Sequence, residues 1–463
     1  MAALKVKRSI DCSDSPKLGF TFVRRPYAET AEALSSSFLL TDAAANSDWR
    51  EFHQALDLTI QGYFYNFVQP LKQYWRAKQS RIDDLAALRQ LYILLRSGEY
   101  NVVHPSLVDD SQKMDFEVTF PVSSNLKELD NSLLPAWYVE SIMPYYNEGP
   151  TPNFSKYYQF FTRGTKRVEK TGLFVFEKLD ILVDELWCKL TRQIKPVQFS
   201  GVLADTLSDR VTLRGYMRAN GLFASLLKKV TLREPLFCSV IVVYRPMGGD
   251  VPGPVELRQY SDVAFADLQG LLPKRKVSLP PVDSIKVVVQ VLLLVWFFVA
   301  SIEEWRASTA SVGNFSYWSL VLSAIIGRIV TLVYEYMACV SHYENVLDSW
   351  IDRKRESRNE STINQLMEDV TGQESKEVIL CYFFIWRFGP LSQEEVAQRV
   401  EDFVRNSLDQ PTFEFDLDGA LRKAVRLGLI IGESEGGKYR HAMEPSAFSQ
   451  RHPTEHILHL FNV

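Results

Sequence analysis

The sequence predicts an α+β protein, mainly helical, with a two-helix transmembrane hairpin near its middle and a winged-helix-like unit at its C-terminus. Three observations carry that prediction. Apolar residues recur at helical spacing through most of the first 150 positions. A group of β-forming runs then precedes two long apolar segments, Ile285–Ile302 and Trp318–Val340. Three amphipathic helical patterns and a hairpin pattern close the chain.

Residues 1–25 are polar and mixed in charge, without the apolar core of a secretory signal, and read as a flexible or targeting segment. A helical domain is expected over 26–150. Phe52, Leu56, Ile60, Tyr63, Phe64 and Phe67 share one helical face, and Pro70 is expected to kink or interrupt that helix. Leu85, Leu88, Leu91, Leu94 and Leu95 mark the next helix. Lys72, Arg76 and Lys78 lie among the aromatic residues, an arrangement that RNA-binding faces also use. At helical spacing it reads better as a core stripe with a solvated face.

An α+β domain with antiparallel strands is expected over 151–283. Lys156–Thr162 reads as a strand ending in a turn at Arg163-Gly164. Phe237–Tyr244 is the strongest strand pattern, and Val255–Tyr260 its hairpin partner. Ala266–Leu272 reads as a short helix stopped by Pro273.

A hairpin is expected over 284–341. About 18 residues at 1.5 Å rise give about 27 Å, close to the hydrocarbon thickness of a bilayer. Lys274, Arg275, Lys276 and Lys286 precede the first apolar run, and Arg353, Lys354, Arg355 and Arg358 follow the second. The loop between them carries Arg306 beside Glu303 and Glu304, so both soluble parts are expected on one side of the membrane. Arg328 and Glu335, seven residues apart, share a helix face inside the second run. They leave a buried hairpin of a soluble protein as the competing reading, because mid-bilayer charge costs about 3 kcal/mol.

A helical connector is expected over 342–374 and a winged-helix-like domain over 375–463. Ser392 with Glu395 forms a capping box, and Asp416 caps a further helix that ends at Gly428. Arg422, Lys423 and Arg426 on that helix would be the groove-facing residues if the unit bound nucleic acid. The acidic residues beside them favour protein docking instead.

Composition narrows the function classes. Of 463 residues, 46% are hydrophobic and 23% charged, with a net charge of -4, which is not the strongly basic balance of a nucleic-acid binder. Five scattered cysteines form neither a CxxC pair nor a disulfide framework. Gly432-Glu433-Ser434-Glu435-Gly436 fits GxSxG but sits in a hairpin turn rather than a strand-to-helix elbow. The same stretch falls short of a P-loop, because Tyr439 stands where a hydroxyl must bind magnesium. His452, His456 and His459 share a face but lie beside Pro453 and read as a surface helix end. Asn314-Phe315-Ser316 is a glycosylation sequon in the hairpin loop.

The order of motifs resembles the transmembrane protein 143 family, built on domain of unknown function 3754. The resemblance rests on Tyr157–Gly164, with Arg163 and Gly164. It continues in LFVFEKLDILV at 173–183 and VIVVYR at 240–245. Next come ADLQGLLP at 266–273, with Asp267, Leu272 and Pro273, and Gln373–Leu380, with Glu374, Lys376 and Glu377. FDLDGALRKAVRLGL at 415–429 completes it. Read locally, Glu374 and Glu377 are helix-start carboxylates that complement the dipole. The resemblance implies an organellar membrane protein of unestablished activity and carries over no catalytic residue.

The expectation is therefore a non-enzymatic membrane scaffold or accessory subunit. Its partners would be the lipid bilayer and proteins, with no cofactor, nucleic acid or small-molecule substrate. An organelle membrane is expected, the mitochondrial inner membrane first and a plastid membrane second, with the soluble domains on the matrix or stromal side. A membrane-tethered regulator that binds nucleic acid or a ligand is the alternative. A hydrolase comes third, because no nucleophile–base set is legible.

Overall fold

The computed structural model describes residues 22–38, 43–76, 84–111, 122–145, 154–190, 210–249, 251–273, 275–307, 314–410, 413, 415, 417–432 and 438–450. Helices α1 (Tyr27–Ser37), α2 (Ala43–Arg76) and α3 (Asp84–Ser97) come first. Then follow β1 (Asn101–Val102), α4 (Pro105–Ser111), β2 (Val122–Ser124) and α5 (Leu133–Trp137). The middle holds β3 (Tyr158–Gly172), α6 (Val175–Leu190), α7 (Leu213–Asn220) and β4 (Val230–Tyr244). A small tip of β5 (Met247–Gly248) and β6 (Val251–Pro252) leads to β7 (Glu256–Ala264), a 3-10 turn at Phe265–Leu271, and β8 (Arg275–Val277). Two long helices, α8 (Pro281–Ala307) and α9 (Asn314–Lys354), precede β9 (Arg355–Arg358) and α10 (Glu360–Phe388). The chain closes with β10 (Leu391–Ser392), α11 (Gln393–Ser407), α12 (Leu417–Arg426), β11 (Ile430–Gly432), β12 (Lys438–His441) and α13 (Pro445–Gln450).

The central sheet is antiparallel, in the order β1-β3-β4-β7-β9. Its strands alternate cleanly, as a sheet buried on both faces requires. Phe161, Ile241, Val243 and Leu257 enter one core, whereas Phe160, Val240, Val242 and Tyr244 enter the other. The first core is helical and holds Phe52, Leu56 and Ile60 of α2, Leu88 and Leu91 of α3, Ile379 and Phe383 of α10, Val396 and Val400 of α11, and Leu421 of α12. The second lies under Leu268, Leu271 and the end of α9, with Leu347, Trp350 and Ile351 buried.

Several expectations change in this frame. Arg163-Gly164 does not end a strand, because β3 continues to Gly172 in unbroken register with β4. Gly164 adopts φ +65 inside the ladder, a backbone state open to glycine at little cost, so the expected turn is a local twist within a paired strand. Pro70 stays within α2, which runs on to Arg76. The boundary expected at 374/375 falls inside α10, one continuous helix from Glu360 to Phe388, so Glu374 and Glu377 are mid-helix residues and not helix-start carboxylates. The capping box is present, with Ser392 N–H donating to Glu395 at 2.8 Å and Glu395 N–H to Ser392 Oγ at 3.3 Å. Gly389 (φ +84) ends α10 and Gly428 (φ +71) follows α12. The hairpin β11–β12 forms as expected, joined by β10 in a sheet of order β10-β12-β11.

Helices α8 and α9 depart from the rest. The stretches Pro281–Glu303 and Ser319–Lys354 are long and apolar enough to cross a membrane, with mean hydropathy 2.4 and 1.6 and only 6% of each apolar window buried. Leu292, Trp296, Leu320 and Met337 stand exposed along them. A buried hairpin of a soluble protein would cover such residues, and these are left open.

Candidate functional site

The most concentrated chemistry lies in the middle of α10, where Gln373, Glu374, Ser375, Lys376 and Glu377 are all buried. This cluster is built from helices far apart in sequence. The α12 stripe of Leu417, Ala420, Leu421 and Ala424 packs inward, and Lys423 occupies the same side. Its ammonium lies 2.6 Å from Glu374 Oε2 and 2.7 Å from Glu377 Oε2. Gln373 Nε2 donates to the remaining oxygen, Glu377 Oε1, at 2.9 Å.

One ammonium thus serves two buried carboxylates. Burial pushes the Glu374 carboxyl up to about 7; the Lys423 charge opposes this and the Glu377 charge adds to it. Burial alone would lower the Lys423 ammonium, but the two carboxylates hold it well above the ordinary lysine range. Burial likewise raises Tyr63, with Glu374 adding to the effect.

On another face of the same turn, Lys376 meets the segment that leads into α1. Its Nζ donates to Val23 O at 2.6 Å and to Arg25 O at 3.3 Å. Burial, and then the nearby Arg163 charge, push it down to about 8. Gln410 clamps the same segment, donating to Phe22 O at 2.8 Å and accepting from Arg24 N–H at 3.1 Å. Ser375 Oγ donates to Asp57 of α2 at 2.9 Å.

Arg163 extends the cluster into the sheet. It pairs with Asp369 of α10 at 2.7 Å and lies over the Phe22 ring, 4.2 Å from its centroid. Asp369 also accepts from Tyr100 OH at 2.8 Å. Gln259 Nε2 donates to Ser239 Oγ at 3.2 Å, and Ser357 Oγ donates to Gln259 at 3.1 Å. Arg163, Glu374, Lys376 and Glu377, singled out from separate motifs, are therefore gathered around the middle of α10, with Arg163 on its sheet side, Lys376 toward residues 23–25, and Glu374 and Glu377 toward α12. Gly164 lies beside Arg163 in β3. Asp267, Leu272 and Pro273 are buried elsewhere, under the end of α9.

A second polar group holds the root of the hairpin. Asp283 accepts from Lys286 at 2.5 Å and from Tyr343 OH at 2.6 Å, tying the start of α8 to α9. Asp180 of α6 accepts from Val282 N–H at 3.2 Å. Farther along, Gln290 Nε2 donates to Glu335 at 3.1 Å, and Arg328 lies 3.9 Å from the same carboxylate. Glu335 thereby links the two helices, which spacing along α9 alone does not reveal.

The flanking basic residues divide into two kinds. Arg275 pairs with Asp348 at 2.8 Å, Lys354 donates to Asp262 O at 2.6 Å, and Arg358 meets Glu256 at 3.0 Å. Those three hold the docked end of α9 and β9 on the sheet. Lys276 and Arg353 are exposed, and Arg355 pairs with Asp352. Lys274, Asp416, Glu433–Gly437, His452, His456 and His459 lie outside the described residues. Among the described residues, no group of three His, Cys, Asp or Glu is placed to hold a metal.

Sequence reasoning missed Asp369, Tyr100, Gln259 and the inward role of Lys423. Only Lys423 left a signal, as a lysine interrupting the apolar stripe of α12. No curated protein and no solved structure matches the chain. Residues 239–361, from the middle of β4 through the hairpin to the start of α10, match the family model described as a protein of unknown function, DUF3754.

Proposed function

We propose that the protein is a non-enzymatic, membrane-anchored scaffold or accessory subunit, fixed by α8 and α9 and presenting one soluble body on one side of the bilayer. One observation carries this reading. The helical core is closed by residues from before the hairpin, such as Phe52 and Leu91, and from after it, such as Phe383 and Val400. A core shared in this way has no route through a bilayer, so both flanks belong on one side if the hairpin crosses. The exposed apolar length of α8 and α9 supports the crossing. The charges at the centre of α10 are engaged with one another rather than turned toward a substrate, which supports an architectural role.

The motif order supports the transmembrane protein 143 family as the finer assignment. The order α10, β10, α11, α12, β11, β12 supports a winged-helix-like unit. Docking is favoured over groove binding, because Lys423 is committed to Glu374 and Glu377. The location we favour is an organelle inner membrane, the mitochondrial one first.

Protease protection on intact organelles tests the topology: sites in α2 and in α11 should be cut, or spared, together. Cleavage of the two from opposite sides refutes the reading. Purification in mild detergent should yield a stable complex with other proteins, and a lone monomer counts against the scaffold role.

A further inference from the structure

We propose that α6 and the adjoining turn at 221–229 lie in the plane of the membrane surface beside the hairpin root, making a third membrane contact with anionic lipid headgroups. This rests on the reading that α8 and α9 cross the bilayer. Helix α6 has two apolar faces. Ile181 and Leu182 are buried against Met217, Val230 and Leu232. Phe176, Leu179 and Leu186, spaced i, i+3 and i+10, form a second stripe that is exposed, with Phe176 82% accessible.

Position fixes what that stripe faces. Helix α6 packs on α8, and Asp180, one turn beyond Phe176 on the same side, accepts from the Val282 N–H in the first turn of α8. The stripe therefore runs out from the point where the first span begins. The turn is tied to α6 by Lys178, whose Nζ donates to Lys228 O at 2.6 Å and Leu226 O at 3.4 Å. From that turn Phe223 and Leu227 project, 68% and 83% accessible, followed directly by exposed Lys228 and Lys229. The α6 stripe begins at the foot of a membrane span, the turn packs on the opposite, buried face of the same helix, and together their large apolar side chains, edged by ammonium groups, have the composition of an interfacial element. The rings and branched chains enter the headgroup–acyl boundary and the lysines meet lipid phosphates.

The test uses the full chain reconstituted in phosphatidylcholine–phosphatidylglycerol vesicles. An environment-sensitive fluorophore is placed on a single introduced cysteine, with the native cysteines replaced. Phe223→Cys, Leu227→Cys, Val251→Cys at the remote β6 tip and Leu292→Cys in the span are compared. Labels at 223 and 227 should be quenched several-fold more by shallow lipid-borne nitroxide, and several-fold less by aqueous iodide, than the label at 251. Iodide access at 223 and 227 equal to that at 251, with 292 still quenched from the lipid, overturns this inference and leaves the hairpin standing. Iodide access at 292 overturns both. Shielding of 223 and 227 from both quenchers means that protein covers the patch, and also overturns it. Lys228→Glu with Lys229→Glu should cut lipid quenching at 223 several-fold, and no change removes the headgroup contact.

Discussion

Replacing Lys423 with methionine keeps the stem that packs against α10 and removes only the charge shared by Glu374 and Glu377. Breaking a buried pair in this way costs roughly 3–5 kcal/mol, because the partner charge stays behind. Here the outcome depends on pH. Glu374 already titrates near 7 with the ammonium 2.6 Å away. Without that ammonium its carboxyl moves higher and takes up a proton to relieve the repulsion. Each pH unit above its titration point adds about 1.4 kcal/mol to the cost of holding that proton. Near pH 5.5 the loss should fall to about 1–3 kcal/mol, that of the broken hydrogen bonds. Near pH 8.5 it should reach the full range, on the order of 5–10 °C in a thermal scan of the detergent-purified protein. Adding Glu374→Gln to the variant should recover most of the alkaline loss. Equal destabilisation at the two pH values, or no recovery by the second substitution, refutes the assignment of the cluster as a charge-balanced seam.

Further outcomes follow from the same geometry. In the unsubstituted protein Glu374 has its titration raised above the ordinary 4.5, so the stability it contributes is present below about pH 4.5 and lost as pH rises through about 7. Glu374→Gln should flatten that slope, by up to about 3 kcal/mol, in pH-dependent melting. Lys376→Met should release residues 22–26 from α10, so that trypsin cuts after Arg24 several-fold faster under native conditions, the bond after Arg25 being closed to it by Pro26. Gly164→Ala forces a β-carbon onto φ +65 and should cost about 1–2 kcal/mol, whereas Gly62→Ala, in open space on α2, should gain up to about 1 kcal/mol; thermal melts of the pair separate the two effects. Leu292→Arg, at an exposed position in the first span, should raise the insertion cost by about 3 kcal/mol and shift protein into the carbonate-extractable fraction.

What the residues disclosed depends on the range of the interaction that fixes each element. Phe237–Tyr244 reads as a strand because its alternation is local, and the Ser392–Glu395 capping box spans a single turn. The hairpin is legible from apolar length alone. Arg163-Gly164 misleads because a glycine that ends most strands here bends a ladder without breaking it, and only the facing strand β4 reveals that. The run Gln373–Glu377 misleads for the same reason. Carboxylates near a helix start obey a local rule, but these answer to Lys423 in α12 and belong with Val23 and Asp57, hundreds of positions away. A charge inside an apolar helix is a sign of an unseen partner, and sequence spacing cannot name that partner.

The placement of the hairpin has a consequence for assembly. Helices α1, α2 and α3 bury their apolar faces against α10, which follows both candidate spans in the chain. During synthesis those first helices have one another and α5 but lack α10 until the second candidate span is complete, and the sheet lacks β9 for the same reason. Closing contacts over such separations is slow relative to local helix formation. The N-terminal helices must therefore wait with their faces uncovered, and Phe52, Leu56 and Leu91 are then the surfaces exposed to aggregation. The polar seam adds selectivity at the closing step. Lys376 must find the carbonyls of Val23 and Arg25, Ser375 must find Asp57, and Arg163 must find Asp369. Each leaves a buried polar group unsatisfied if α10 docks out of register, at about 1–3 kcal/mol apiece. An apolar α10 would close onto the same helices with less discrimination. The charged middle of α10 is thus best understood as the device that sets the register of α10 against the N-terminal helices and the sheet, so that closure of the core and satisfaction of its polar groups become one event.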